Sequence, residues 1–330
     1  MRDKHTVSAV TPASAVAQFA LDVQYYLALQ PRQLPSRYLY DALGSALFEA
    51  ITQLPWYRIT RAELGLLRAH GCEILSRVPR LSTLVELGPG NGEKLTTLVE
   101  AGRGAASHLR LHLIDVSPTA LGVAARALAS LENVEIHLHE APYEAGLAEV
   151  TARPAADGRT LTLFLGSNLG NFDRPGADAF LHGIRAALRP GDALLLGADL
   201  VKPERRLLRA YDDPLGVTAA FNRNLLVRIN RELGGTFDID QFAHEAVWNA
   251  GESRVEMHLV SRRRQHVRIP ASELAFTMEE GESIWTESSY KYEPEAIVRA
   301  LTVAGFRLVN QWIERTDGFA LTLVEAIRQD

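Results

Sequence analysis

Between Leu81 and Leu200, short apolar runs alternate with stretches of helical period. The runs Thr83–Leu87, Leu109–Ile114, Val134–Leu138, Leu161–Leu165 and Ala193–Gly197 follow one another as the strands of a parallel sheet do, with helices between them. The helical stretch Asp178–Leu188 ends in Arg189-Pro190-Gly191-Asp192, a sharp turn that launches the last of these strands. Upstream, the chain to about Arg61 reads as helical. Its aromatics Phe19, Tyr25, Tyr26, Tyr38, Tyr40, Phe48, Trp56 and Tyr57 are assigned mostly to core or interface. Thr60 followed three residues later by Glu63 is a capping-box pattern, and it predicts a helix from Arg61 to about Ser76.

After Lys202 the alternation stops. Glu204–Arg231 reads as helical, broken at Tyr211-Asp212-Asp213-Pro214-Leu215-Gly216. The runs Ala246–Trp248, Arg254–Val260, Gln265–Ile269 and Ser283–Ser289 read as antiparallel strands of a smaller domain. A helix over Pro294–Ala304 and strands over Phe306–Trp312 and Phe319–Val324 are expected to return and complete the first sheet. The fold class is thus α/β: a Rossmann-like, mostly parallel, doubly wound core with a second, smaller α+β domain. The core is expected over 62–201 and 291–330, and the substrate-binding domain over 1–61 and 202–290.

Composition narrows the classes. With 47% apolar and 23% charged residues and no apolar run near the ~18 needed to cross a bilayer, a membrane role is not expected. The start Met1-Arg2-Asp3-Lys4-His5 lacks the apolar segment of a secretory signal, so a cytoplasmic protein is expected. A net charge of −5 gives no bulk attraction to nucleic acid. The one basic cluster, Arg262-Arg263-Arg264, reads as the solvated tip of a hairpin. Cys72 is the single cysteine, which excludes an internal disulfide and a cysteine-based zinc cluster. In the pattern Leu64, Leu67, Cys72, Ile74, Leu75 it reads as a small packed thiol. No metal site is expected.

The chemistry concentrates in Leu84-Val85-Glu86-Leu87-Gly88-Pro89-Gly90-Asn91-Gly92-Glu93-Lys94, where a strand runs through glycines into a helix. Such a turn exposes backbone N–H groups and a positive helix end to a ligand. Glu86 before G-x-G-x-G departs from the dinucleotide spacing G-x-G-x-x-G and has the form of the first S-adenosylmethionine (SAM) motif of methyltransferases. Asp115, at the end of the next strand, is where a carboxylate would meet ribose hydroxyls. A nicotinamide-dependent dehydrogenase is the competing reading, disfavoured by that spacing.

Further stretches carry a family resemblance. Tyr40-Asp41-Ala42-Leu43-Gly44-Ser45, Phe164-Leu165-Gly166-Ser167-Asn168-Leu169-Gly170-Asn171, Leu195–Lys202, Ala210–Pro214, Gly216–Asn224, Glu256-Met257 and Thr286–Ser289 resemble the SAM-dependent histidine Nα-methyltransferases that make hercynine in ergothioneine biosynthesis. The resemblance implies that Gly88, Gly90, Lys94 and Asp115 hold SAM, with Pro142 and Tyr143 beside its adenine. It implies that Asn171 and Tyr211 hold the carboxylate of a free amino acid, L-histidine above all, and that Glu287 and Ser289 hold its imidazole beside Met257. Arg58 stands where the family has a second tyrosine after Tyr57, with Ile59 in place of proline. It could pair with Glu287, accept a second carboxylate of a different amino acid or amine, or face solvent. Pro142 replaces an aspartate that helps hold adenine, with Tyr143 left to stack on or cover the ring. That loss also motivates a non-catalytic ligand-binding alternative. The sequence assigns no general base.

Overall fold

The computed structural model describes residues 12–102, 108–152 and 158–328, so the charged start Met1–His5 lies outside the described residues. The chain opens with α1 (Pro12–Ala28), β1 (Arg32–Gln33) and α2 (Ala42–Gln53). It continues through α3 (Ile59–Ser76), β2 (Leu81–Leu87), α4 (Glu93–Ala101), β3 (Leu109–Asp115), α5 (Pro118–Leu128), β4 (Val134–Glu140) and α6 (Tyr143–Ala152). Then come β5 (Arg159–Phe164), α7 (Arg174–Ala187), β6 (Ala193–Asp199), α8 (Glu204–Tyr211) and α9 (Val217–Leu233). The strands β7 (Phe242–Asn249), β8 (Arg254–Ser261), β9 (Gln265–Ile269), β10 (Leu274–Met278) and β11 (Ser283–Tyr290) follow, and α10 (Pro294–Val303), β12 (Phe306–Glu314) and β13 (Phe319–Ala326) close the chain. Two compact units emerge: Met1–Trp56 with Leu207–Trp248 and Val255–Ser288, and Tyr57–Arg206 with Asn249–Arg254 and Ser289–Asp330.

The second unit is built on a seven-stranded sheet in the order β12-β13-β6-β5-β2-β3-β4. The pairs among β6, β5, β2, β3 and β4 are parallel, and β12 and β13 return antiparallel beside β6. Strand order reverses between β2 and β5, since β3 leaves β2 on one side and β5 lies on the other. A ligand crevice opens beyond the carboxyl ends at such a reversal, here at Gly88 and Gly166. Apolar side chains on one face of β2, β5 and β6, among them Val85, Phe164, Leu194 and Leu196, form a core with Phe180 and Ile184 of α7 and Ile297 and Leu301 of α10. Burial of this apolar surface stabilises the frame beneath the crevice.

Three local expectations are corrected in this unit. Helix α3 starts at Ile59 with Arg58 as its N-cap and no side-chain cap, so Thr60 lies inside the first turn. Glu63 faces the interior and is wholly buried. Cys72 is exposed, because the inward stripe of α3 runs through Leu64, Leu67, Gly71, Ile74 and Leu75, leaving position 72 off that face. Helix α7 begins before Asp178: Asp173 accepts a hydrogen bond from Gly176 N at 2.8 Å, and Pro175 occupies the first turn.

The first unit carries a sheet in the order β1-β11-β8-β7, with β1 parallel to β11, and an antiparallel pair β9–β10. Since β8 and β9 belong to different sheets, Arg262–Arg264 is no hairpin tip but the exposed link between them. Arg263 is bonded to Asp238, and Arg264 lies 3.1 Å from Glu279. Asp41 joins the helices: it caps α2 through Gly44 N at 2.8 Å and accepts from Asn224 and Arg231 of α9, each at 2.7 Å. Phe19 and Tyr38 are buried as expected, whereas Tyr25 and Tyr40 are exposed. Among the described residues no helix is long and apolar enough to cross a membrane.

Candidate active site

Strand β2 delivers the glycine turn. Its apolar residues Leu84, Val85 and Leu87 are fully buried, which fixes where the chain must leave the sheet. Gly88, Gly90 and Gly92 then adopt φ of +75°, +55° and +81°, values that L side chains resist. Gly88 N donates to Ile114 O at 2.9 Å, tying the turn to the end of β3. A Cβ at Gly90 would meet nothing within 4 Å, so the backbone there faces open space.

Asp115 ends β3. Its Oδ1 accepts Ser117 N at 2.8 Å, and burial pushes its proton affinity up against the opposing effect of the Ser117 and Val116 N–H groups. Tyr143 opens α6 with its hydroxyl over the turn, where a Cβ on Gly88 would come within 2.8 Å of it. Its ring packs edge-on to Phe164 and Phe180, at centroid distances of 5.7 and 6.2 Å. Burial, with the Asp115 and Glu144 carboxylates behind it, raises the phenol's proton affinity and keeps it a neutral donor. The ring therefore belongs to the core packing and presents its hydroxyl to the site. Pro142 is exposed at the entry to α6.

Lys94, on the first turn of α4, lies 2.8 Å from Glu63 Oε2. Glu86, the acid before the glycines, is buried with Oε2 lacking a hydrogen-bond partner, and burial pushes its pKa up to about 8, Lys94 opposing and Glu63 adding. Open backbone at Gly90, a cation at Lys94 and a carboxylate at Asp115 form a donor and acceptor set that fits SAM: N–H groups and an ammonium for its amino-acid end, an acid for its ribose.

The other residues expected to bind substrate fall in both units. In the second unit, Asn171 is exposed at the end of the 3-10 turn Asn168–Asn171 beyond β5. Ser289 is buried on β11, and its Oγ accepts Lys291 Nζ at 2.8 Å. Lys291 is itself 3.0 Å from Asp199 Oδ2, and Lys202 lies 2.6 Å from Asp199 Oδ1. Arg58 is half exposed and pairs with Asp317 at 3.0 Å.

In the first unit, Tyr211 ends α8, and its carbonyl accepts His244 Nε2 at 2.7 Å. A carbonyl can only accept, so Nε2 carries the proton, and Nδ1 accepts from Asn222 Nδ2 at 3.0 Å. Burial lowers the imidazole's proton affinity and keeps it neutral in that role. Asp213 accepts Leu215 N at 3.0 Å in the turn before α9 and Thr218 N at 2.8 Å in its first turn, which explains the Asp after Tyr211-Asp212. Met257, on β8, is buried, and its carbonyl accepts Thr286 Oγ1 of β11 at 2.9 Å; Glu287 follows on β11, its carbonyl bonded to Trp285 Nε1 at 2.9 Å. Thus Gly88, Asp115 and Tyr143 come together, as do Met257 and the Thr286–Glu287 segment. Sequence reasoning missed Lys291 and the interior role of Glu63; a lysine within an otherwise apolar-flanked strand end was the available signal for the first.

Comparison with known proteins completes the assignment. The chain is 44% identical over 304 residues to a histidine N-alpha-methyltransferase of Mycobacterium tuberculosis, covering 92% of this chain and 93% of that protein. It is 31% identical to ergothioneine biosynthesis protein 1 of Neurospora crassa over 86% of this chain, spanning 32% of that longer protein. It is 26% identical to a 4-dimethylallyltryptophan N-methyltransferase of Penicillium roqueforti, over 87% of each chain. The family model described as histidine-specific methyltransferase, SAM-dependent, matches residues 19–326, which takes in the glycine turn, Asp115 and every strand of both units. With that match running from α1 to the last strand, the chain belongs to the SAM-dependent, histidine-specific methyltransferase family.

Proposed function

We propose that this chain methylates the α-amino group of free L-histidine, adding successive methyl groups to give hercynine. The observation that carries the reading is the family match over residues 19–326; Asn171, Tyr211, Glu287 and Ser289 are assigned to histidine on the sequence resemblance. SAM, when bound, supplies an electrophilic methyl group on a sulfonium.

The chain's own residues do the rest. Lys94 would hold the cofactor's carboxylate and Asp115 its ribose hydroxyls, with the Gly88–Gly90 backbone, the Tyr143 hydroxyl and Pro142 assigned to the same cofactor. The resemblance assigns Asn171 and Tyr211, two neutral donors, to the substrate carboxylate, and Glu287, Ser289 and Met257 to the imidazole. Fixing both ends of the amino acid sets the nitrogen lone pair for in-line attack, and a cation alongside favours the unprotonated amine. A different amino acid, the reading Arg58 invites, is the alternative, and Arg58 pairs with Asp317 at 3.0 Å. A single cysteine suits a reducing compartment, and we place the activity in the cytoplasm.

Assays with L-histidine, histamine and L-phenylalanine test this directly. L-histidine should turn over, histamine should fail for want of a carboxylate, and L-phenylalanine should fail for want of an imidazole. Equal turnover of histamine would refute the carboxylate assignment, and equal turnover of phenylalanine the imidazole one.

A further inference from the structure

Glu63, which the Thr60-x-x-Glu63 pattern marks as a capping residue, is instead wholly buried within the second unit. Its Oε2 is 2.8 Å from Lys94 Nζ, and both its oxygens accept the Gly166 N–H, at 2.9 and 3.0 Å. Two glycines make the room. A Cβ on Gly197 would stand 2.2 Å from Glu63 Oε1, and one on Gly166 would stand 2.8 Å from Lys94 Nζ. Gly166 and Ser167 both take left-handed backbone, at φ +81° and +62°, so the loop leaving β5 needs fixed anchors to hold that shape. It has two: Glu63 on Gly166 N, and Ser167 Oγ, which accepts Asp199 N at 2.9 Å. That loop runs directly into Asn168–Asn171.

A carboxylate buried at such cost is retained where its partners use it. One of these partners is the lysine beside the glycine turn, and the other is the backbone at the head of the Asn171 loop. Glu86, buried alongside with an unpartnered oxygen, leaves Glu63 as the group bonded to Lys94.

We propose that Glu63 is a positioning residue that ties Lys94 to the loop bearing Asn171, so that seating the cofactor's carboxylate and setting the substrate loop are one coupled event. The proposal rests on the assignment of Lys94 to SAM and of Asn171 to the amino acid. Glu63 touches neither ligand in this scheme; it acts through both partners.

The test is calorimetric binding of S-adenosylhomocysteine, which has the same amino-acid end, to wild type, Glu63→Gln, Lys94→Met and the double variant. Histidine binding to the S-adenosylhomocysteine-saturated proteins is then measured. Glu63→Gln should weaken S-adenosylhomocysteine about tenfold, the loss expected for a charge-assisted bond, and should weaken histidine as well. The double variant should bind no worse than Lys94→Met, because the two act as one unit. Wild-type affinities in Glu63→Gln, or strictly additive losses, would overturn the coupling. Unchanged affinity in Lys94→Met would instead overturn the underlying cofactor assignment. A further readout needs no variant: hydrogen exchange over 166–171 in the wild type should slow when S-adenosylhomocysteine binds, and unchanged exchange would contradict the proposal.

Discussion

The ammonium of Lys291 lies 2.8 Å from the hydroxyl of Ser289 and 3.0 Å from Asp199 Oδ2, with its side chain wholly buried. An ammonium only donates, so Ser289 Oγ serves as acceptor on that side and its hydrogen points away from Lys291. The two residues should then separate function from stability. Ser289→Ala should weaken histidine binding about fivefold to tenfold, roughly one hydrogen bond, while S-adenosylhomocysteine binding stays as in wild type. Lys291→Met should cost about 3 kcal/mol of stability, because Asp199 loses half of its buried ion pairing. Calorimetry and denaturant melts measure the two effects, and loss of cofactor affinity in Ser289→Ala would refute the assignment.

Pro142 offers neither a carboxylate nor an N–H where the family has an aspartate. Its carbonyl accepts Gly146 N at 2.9 Å, the first bond of α6, so position 142 is the N-cap of that helix. Pro142→Asp should therefore raise stability by about 1 kcal/mol through capping and tighten S-adenosylhomocysteine binding severalfold. A stabilised variant with unchanged cofactor affinity would remove position 142 from the adenine site.

Glu86 gives a pH dependence with a defined sign. Burial, first, and the Glu63 charge hold its folded pKa at about 8, against 4.5 in the unfolded chain. Between those values the folded protein binds the extra proton, so stability is greatest at the acid end and falls as pH rises toward 8. Glu86→Gln should remove this slope, which is at most about 1.4 kcal/mol per pH unit. Melting curves of both proteins from pH 6 to 8 should diverge as pH rises; parallel curves would show that Glu86 ionises normally.

Cys72 faces solvent on α3. The native protein should release its one thiol equivalent to a disulfide reagent without denaturant, and Cys72→Ser should change stability by less than about 0.5 kcal/mol. A thiol that reacts only after unfolding would contradict its exposure.

These corrections mark what the sequence could convey. The parallel core was legible because β2, β3, β5 and β6 are apolar runs closed by glycine or acidic residues, and the return of β12 and β13 to that sheet was legible too, while their antiparallel direction is set by tertiary pairing. Glu63 was not: Thr60-x-x-Glu63 has the same pattern whether it caps a helix or lies one turn inside it, and the deciding partners, Lys94 and Gly166, are far along the chain. Cys72 was misread because apolar residues flank it at positions that belong to the adjacent stripe. Strand β10 escaped because Leu274–Met278 is short and its partner is β9, and the Arg262–Arg264 link resembled a hairpin because pairing of β8 and β9 with different neighbours is a tertiary choice. The imidazole and carboxylate residues are proposed on the resemblance alone; as isolated Asn, Tyr, Glu and Ser, they carry no signal of their own.

The most direct test of the central claim is mass spectrometry of the protein incubated with SAM and an equimolar mixture of the twenty amino acids. Histidine alone should gain one, two and then three methyl groups. Methylation of another amino acid with histidine untouched would contradict it.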